Sequence, residues 1–311
     1  MKKIAAILIV LLNVSFVIAQ KNMAGIILNA ETQEPVAYAH LIIVSEERGT
    51  TSNANGNFEF TVPDAWIGKV LRISCVGFET KQIKLTQDKG LTIYLKPSIE
   101  FLNSVHITHK ERTKRKRVNP FRGKQLIGLG NFSGGAYPSM FARYYPFIEK
   151  LGDENYLEEV TIFFFNEGRH DAKFRLRILS ATADKLPKDD LLDPMLVDVE
   201  YRQGRVKVKM QAKGVEVPKE GFFVVVEHLF IEENRVEERV HLQVNDSLKV
   251  QNITQIRYAP IFTGIVEKAG ASHSYYMSVN GWKKVGKLKM PKPDFKKGEV
   301  VAPAFKVKLT N

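Results

Sequence analysis

One cysteine, Cys75, stands in 311 residues. No disulfide can form within the chain, and no cysteine-based zinc site either. Neither a base nor a cation flanks Cys75, so it reads as a small apolar core side chain rather than a reactive thiol. The sequence also lacks a Gly-x-Ser-x-Gly elbow, a His-Glu-x-x-His or His-x-x-Glu pair, and a Gly-Lys-Ser/Thr ending after its glycine-rich run 128–135. Those absences remove the common signatures of serine hydrolases, zinc peptidases and P-loop nucleotide sites. Long apolar runs are equally scarce. After Ile4–Ile18 no stretch approaches the roughly 20 residues that span a bilayer, so no transmembrane span is expected in the mature chain.

The first apolar run has the form of an export leader. Met1-Lys2-Lys3 supplies the basic start, and Val17 and Ala19 the small residues before a cut. Residues 1–19 are therefore expected to be a signal peptide, and the mature protein to be exported to the periplasm, outer membrane or cell surface. No cysteine follows the cut, which disfavours a lipid anchor.

What remains is patterned as strands. Ala39, Leu41 and Ile43 alternate with Tyr38, His40 and Ile42; Phe58, Phe60 and Val62 alternate with Glu59 and Thr61. Leu71–Val76, Ile83–Leu85, Leu91–Leu95 and Val105–Ile107 add short strands, and Asn55-Gly56 is a strong hairpin-turn signal. Around seven strands with turns between them predict a sandwich over residues 20–108. From Tyr156 onward the period returns. Leu157–Phe165, Phe174–Leu179, Met195–Val199, Val206–Met210, Phe222–Leu229, Ile261-Phe262, Tyr275–Val279 and Phe305–Leu309 predict a second, larger all-β domain over residues 121–311. Residues 185–194 read as a loop.

The net charge of +12 is unevenly placed. His109-Lys110-Glu111-Arg112-Thr113-Lys114-Arg115-Lys116-Arg117 is the densest run, expected as a basic linker over 109–120. It is either a solvated spacer or a contact for an anionic surface, carried by Lys114, Arg115, Lys116 and Arg117. Seven further lysines lie between Lys283 and Lys297. They form a solvated edge or join the basic run in one cationic face. Nucleic acid is not expected as a partner, because the leader directs export and no aromatic residues interleave with the cations.

Specific chemistry is sparse. His106 and His109 fall on opposite faces of a strand, which disfavours a metal site. Asp189, Asp190 and Asp193 lack the glycine and spacing of a calcium loop. Glu227-His228 reads as an ordinary strand end. Tyr275, Tyr276 and Trp282 are candidates for stacking on sugar rings. No cofactor is expected.

Two resemblances add to this. Gly25-x-Ile27-x-Asn29-x-x-Thr32-x-Glu34-Pro35-Val36-x-x-Ala39-x-Leu41, Gly49-Thr50-Thr51 with Asn53-x-x-Gly56-x-Phe58, and Leu71-x-Ile73-Ser74-x-Val76-Gly77-Phe78 together resemble the carboxypeptidase regulatory-like domain of exported Bacteroidetes proteins. The resemblance implies a transthyretin-like seven-stranded sandwich and a structural or interaction role, with no catalytic residues of its own. Asn29 stands where that family usually has Asp. Leu102–Thr108 looks like the segment joining this domain to the plug of TonB-dependent receptors, yet too little chain follows for plug and barrel. Ala142-Arg143-Tyr144, Phe174–Ile178, Leu186-Pro187 with Asp190-Leu191-Leu192, and Gly221–Glu227 resemble the jelly-roll-like domain that often follows it.

The expectation is an all-β, non-catalytic envelope protein of two sandwiches that binds a glycan or an envelope protein partner. A glycan-active hydrolase with its site on second-domain loops, and a polyanion-binding surface protein, are the alternatives.

Overall fold

The computed structural model describes residues 20–86, 89–98, 113–118, 121, 126–128, 136–165, 171–200, 202–243, 250–268, 272–286 and 298–311. The expected leader, the strand at Val105–Ile107, His106, His109, most of the glycine-rich run and the lysines of 287–297 lie outside them. Every regular element described is a strand or a single 3-10 turn.

Seven strands build the first domain: β1 (Gln20–Asn29), β2 (His40–Ile43), β3 (Arg48–Thr51), β4 (Asn57–Pro63), β5 (Val70–Ser74), β6 (Lys81–Lys84) and β7 (Lys89–Leu95). They form two sheets, ordered β4-β1-β7 and β3-β2-β5-β6, with β1 and β7 parallel. The alternating apolar residues meet between the sheets, where Ile27, Leu41, Ile43, Leu71, Ile73 and Leu95 are fully buried. Asn29 does the turn-closing work expected of an Asp. Its Oδ1 accepts from the Glu31 amide at 2.8 Å and more weakly from Thr32.

The Asn55-Gly56 signal marks a turn but not a hairpin. The strands on either side belong to different sheets, β3 pairing β2 and β4 pairing β1. The turn is closed by Asn53, whose Oδ1 accepts from the amides of Asn55 and Asn57. Gly56 sits at φ +73, and its carbonyl accepts from the Ile27 amide of β1, the strand that β4 joins. A Cβ there would come 2.6 Å from the Ile27 carbonyl oxygen. Turn chemistry was readable; the destination of the chain after it was decided by burial of Phe58 and Val62.

The larger domain stacks two seven-stranded sheets. One runs β13 (Pro187–Asp190), β12 (Ala172–Ala181), β16 (Phe222–His228), β10 (Met140–Tyr145), β20 (Ser274–Ser278), β21 (Gly281–Lys284), with β14 (Met195–Val199) also on β12. The other runs β22 (Glu299–Pro303), β19 (Ile261–Lys268), β11 (Tyr156–Phe165), β23 (Phe305–Thr310), β8 (Arg115–Val118), with β15 (Arg205–Lys209) on β11 and β9 (Leu126–Gly128) on β19. A hairpin of β17 (Arg235–Gln243) and β18 (Val250–Tyr258) stands outside both. Among the described residues the two sheets hold fourteen strands, which makes this the larger of the two expected sandwiches.

Phe164, Phe174 and Phe262 meet between the sheets, with Phe174 and Phe262 edge to face at 5.3 Å. Each large side chain buried here contributes about 1.5–3 kcal/mol. Two expectations are corrected. Residues 187–190 are a strand paired with β12, not loop. Arg115–Val118 is not linker but an edge strand, antiparallel to β23. Its backbone gains ladder hydrogen bonds whatever its side chains, so a run of cations can form a strand where one face stays in water.

Candidate functional site

The two domains meet at a seam, and its chemistry is polar. β12 and β16 place Arg175 and Arg177, and Glu227, on the outer face of their sheet; Arg175 lies directly opposite Glu227. Alternation alone sends those side chains toward solvent. Instead the first domain covers them: Glu227 is 1% exposed, His40 5% and Arg175 6%. Glu227 is paired with Arg175, with His40 Nε2 at 2.5 Å and with Arg177 at 3.8 Å. Arg175 Nη2 also donates to the Tyr38 carbonyl at 2.9 Å. Arg177 forks onto Asp190 at 3.0 and 2.6 Å.

Burial pushes the Glu227 carboxyl up, but Arg175, then His40 and Arg177, outweigh it and hold the group well below the usual carboxylate range. A group lowered in this way lends stability that is complete above its ordinary value of 4.5 and fades as pH falls toward its depressed native value. The seam should therefore keep its strength from neutral pH to about pH 4.5 and weaken only in stronger acid. Melting temperatures at pH 7, 5 and 3 check this. Glu227→Gln, which has no carboxylate to titrate, should lose less between the last two than the parent.

Backbone contacts complete the seam. Thr51 donates its amide to the Phe230 carbonyl at 3.2 Å, and its hydroxyl accepts from the Phe230 amide at 2.9 Å. The same hydroxyl lies 3.0 Å from His40 Nδ1. Gly49 donates to Ala136, and Arg72 to the Val279 carbonyl at 2.7 Å. A Cβ on Gly49 would lie 2.4 Å from the Leu41 carbonyl oxygen and 3.2 Å from Pro138, so only glycine lets β3 lie this close. Tyr38 and Ala37 pack on Leu229 and Ile231. Tyr38 has φ +57, a strained value for a tyrosine, beside the carbonyl that Arg175 holds. Cys75 lies partly buried against the first core, and burial pushes its thiol up, away from reactivity.

Beside the seam opens an interdomain cleft of about 970 Å³, lined by Glu59, Asn53, Asn57, Phe230, Glu232 and Tyr258 among others. Tyr258 stacks on Phe230 at 3.9 Å and 13°. Carboxylates thus stand on both walls of a concavity with an aromatic floor.

A separate groove of about 370 Å³ crosses the outer face of the other sheet. Arg117, Arg205, Lys207, Lys306 and Lys308 line it with Phe121 and Phe163, and among the described residues Glu159 is the one carboxylate of the lining. Lys114–Arg117 therefore lies beside the C-terminal strand, where Lys308 pairs in register with Arg117. Part of the expected basic run thus shares one cationic face with the chain's last lysines.

Tyr275, Tyr276 and Trp282 form no common platform. Tyr275 is buried edge-on to Phe223 at 5.7 Å, and burial raises its phenol above the usual range. Tyr276 packs against the core on the opposite face, while Trp282 is half-buried over the Tyr275 cluster. Asp190 is spent on Arg177 and Asp189 pairs with Lys188. No group of three metal-capable side chains occurs among the described residues, and no helix among them is long and apolar enough to cross a membrane.

The first sandwich falls in a known domain family. Residues 23–107 match the CarboxypepD_reg-like domain. Over 173 residues, 56% of its length, the chain is 22% identical to part of TonB-dependent receptor P3 of Formosa agariphila. The chain spans 16% of that receptor's length. A solved structure from Bacteroides uniformis, provisionally classed as a carbohydrate-binding protein, aligns over 78% of this chain and 97% of its own. Its identity is 12% and its TM-score 0.18, too low to define a shared fold. The CarboxypepD_reg-like domain thus supplies β3, His40 and Arg72 to the seam. Sequence reasoning missed the seam, although one signal was there: Glu227 is the single carboxylate inside the apolar strand Phe222–Leu229, and a buried charge requires a partner.

Proposed function

We propose that the chain is a non-catalytic binding unit of the bacterial cell envelope. The CarboxypepD_reg-like domain braces the larger sandwich, which presents the surface for a glycan or an envelope protein. The seam carries this reading. Histidine, glutamate and arginine, the residue types suited to acid–base work, are here sealed between domains and neutralise one another. A group spent on holding two domains together is not free to exchange protons with a substrate. The leader-like first 19 residues and the partial likeness to a TonB-dependent receptor support the envelope.

The test is capture and turnover together. The mature chain is placed on a glycan array and used as bait against envelope extract. Saturable binding with no product from the bound glycan is expected. Turnover would overturn the reading. The cleft favours one rival, a glycan hydrolase using Glu59 and Glu232, since these line the same concavity. Loss of such turnover in Glu59→Gln or Glu232→Gln would establish it.

A further inference from the structure

We infer that the groove over β15, β11, β23 and β8 binds a linear acidic polysaccharide, one carrying sulfate or carboxylate groups at regular intervals. The inference rests on the reading above that the larger sandwich faces the ligand.

The register builds the site. On β11 the outward residues are Glu159, Thr161 and Phe163. Thr161 lies opposite Lys207 on one side and Lys306 on the other; Glu159 lies opposite Lys209 and Lys308; Phe163 lies opposite Arg205. Arg117 extends the second row beyond Lys308. Adjacent strands are about 4.8 Å apart, and residues two apart on one strand are about 6.8 Å apart. Lys207, Lys209, Lys306 and Lys308 therefore mark the corners of a rectangle of roughly 7 by 10 Å, with the Thr161 hydroxyl between two of them. An extended chain with an oxyanion on each sugar or two can meet several of these cations in succession.

The charges are in surplus. Lys308 is tied to Glu158 at 2.7 Å, as is Arg115 at 3.3 Å. Among the described residues, no carboxylate lies within ion-pair distance of Arg117, Arg205, Lys207 or Lys306, and the lining offers them Glu159 alone. Burial, then the nearby Arg205 and Arg117, lowers the Lys306 ammonium below its usual range. Like charges held this close are a strain that a bound anion relieves. Lys306 is also fixed in place, over the ring of Phe121 at 4.2 Å and of Phe163 at 5.0 Å.

The shape favours a polymer over a membrane. The cations line a concavity, and none of the exposed large apolar residues Val70, Tyr94, Leu186, Leu196, Ile256 and Val266 lines it. Insertion into a membrane surface needs apolar side chains that protrude, and purely electrostatic adsorption is separated by the vesicle arm of the experiment below.

The experiment measures binding of the mature chain to heparin, dextran sulfate, neutral dextran, single-stranded DNA and phosphatidylglycerol vesicles over a salt series. Binding to heparin and dextran sulfate is expected, with affinity falling steeply as salt rises, and none to neutral dextran. The triple variant Arg205→Gln/Lys207→Gln/Lys306→Gln should bind at least tenfold more weakly and show a shallower salt slope. A control that removes equal charge at exposed Lys188, Lys213 and Lys84 should bind as the parent does. Unfolding curves of both variants, matching the parent, show that the fold is kept. Equal loss in the control, no loss in the triple variant, or tighter binding to vesicles or DNA than to dextran sulfate would each overturn the groove. Those outcomes leave the non-catalytic reading standing. Turnover of a glycan would overturn that reading and leave a positive groove result intact.

Discussion

Replacing Glu227 by alanine should destabilise the protein by about 3–5 kcal/mol, the usual consequence of removing one partner from a buried ion cluster. The carboxylate is the hub: Arg175, His40 and Arg177 all converge on it. Without it, two guanidinium groups face each other in the seam, and Asp190 is already held by Arg177. The arginines cannot discharge themselves, since their protons stay on at any ordinary pH. The first domain should therefore come away before either core melts. The chain allows this to be seen directly, because its two tryptophans, Trp66 and Trp282, lie one in each domain. Urea unfolding of Trp66→Phe and Trp282→Phe reporters should give coincident transitions with Glu227 present and separated ones in Glu227→Ala. Coincident transitions in both backgrounds would show that backbone contacts at Thr51 and Gly49 suffice. The triple variant His40→Leu/Arg175→Met/Glu227→Leu should recover most of the lost stability, because an apolar replacement of the whole set removes the desolvation penalty with the charges.

Phe262→Ala should also destabilise by about 3–5 kcal/mol, but by another route and in the larger domain alone. Phe262 comes from one sheet and meets Phe174 of the other edge to face, with Phe164 and the His228 ring at 5.7 and 4.8 Å. Truncation leaves a cavity walled by rigid rings that cannot collapse into it, and rings paired in this way lose their mutual attraction as well. With Glu227 and the seam intact, the Trp282 and Trp66 transitions should move to lower urea together. A shift confined to the Trp282 transition would mean that the seam does not couple the two domains.

The strands were legible because alternation is local. Val160, Ile162 and Phe164 point inward as their spacing predicts, and the unbroken run from Phe222 is buried on both faces. What covers an outward face is not local. Arg175 and Arg177 look like a solvated face in sequence, since the Tyr38 carbonyl and His40 that meet this cluster lie more than 130 residues away. The cationic face was half-legible for the same reason. Charge density picked out Arg115–Arg117, but only the pairing with β23 brought Lys306 and Lys308 alongside, and only β11 brought Arg205 and Lys207. Parity divides two of the aromatic candidates: Tyr275 and Tyr276 are neighbours in a strand, so they do not face one ligand together.

The amides of Gly49 and Thr51 have a consequence beyond holding the seam. They belong to β3, the outermost member of its sheet, and both are taken by carbonyls of the larger domain. A terminal strand whose donors are free invites sheets from other molecules to grow onto it. Here the neighbouring sandwich occupies that ledge from within the same chain, so docking of the two halves also guards the protein, at this border, against aggregation by strand addition.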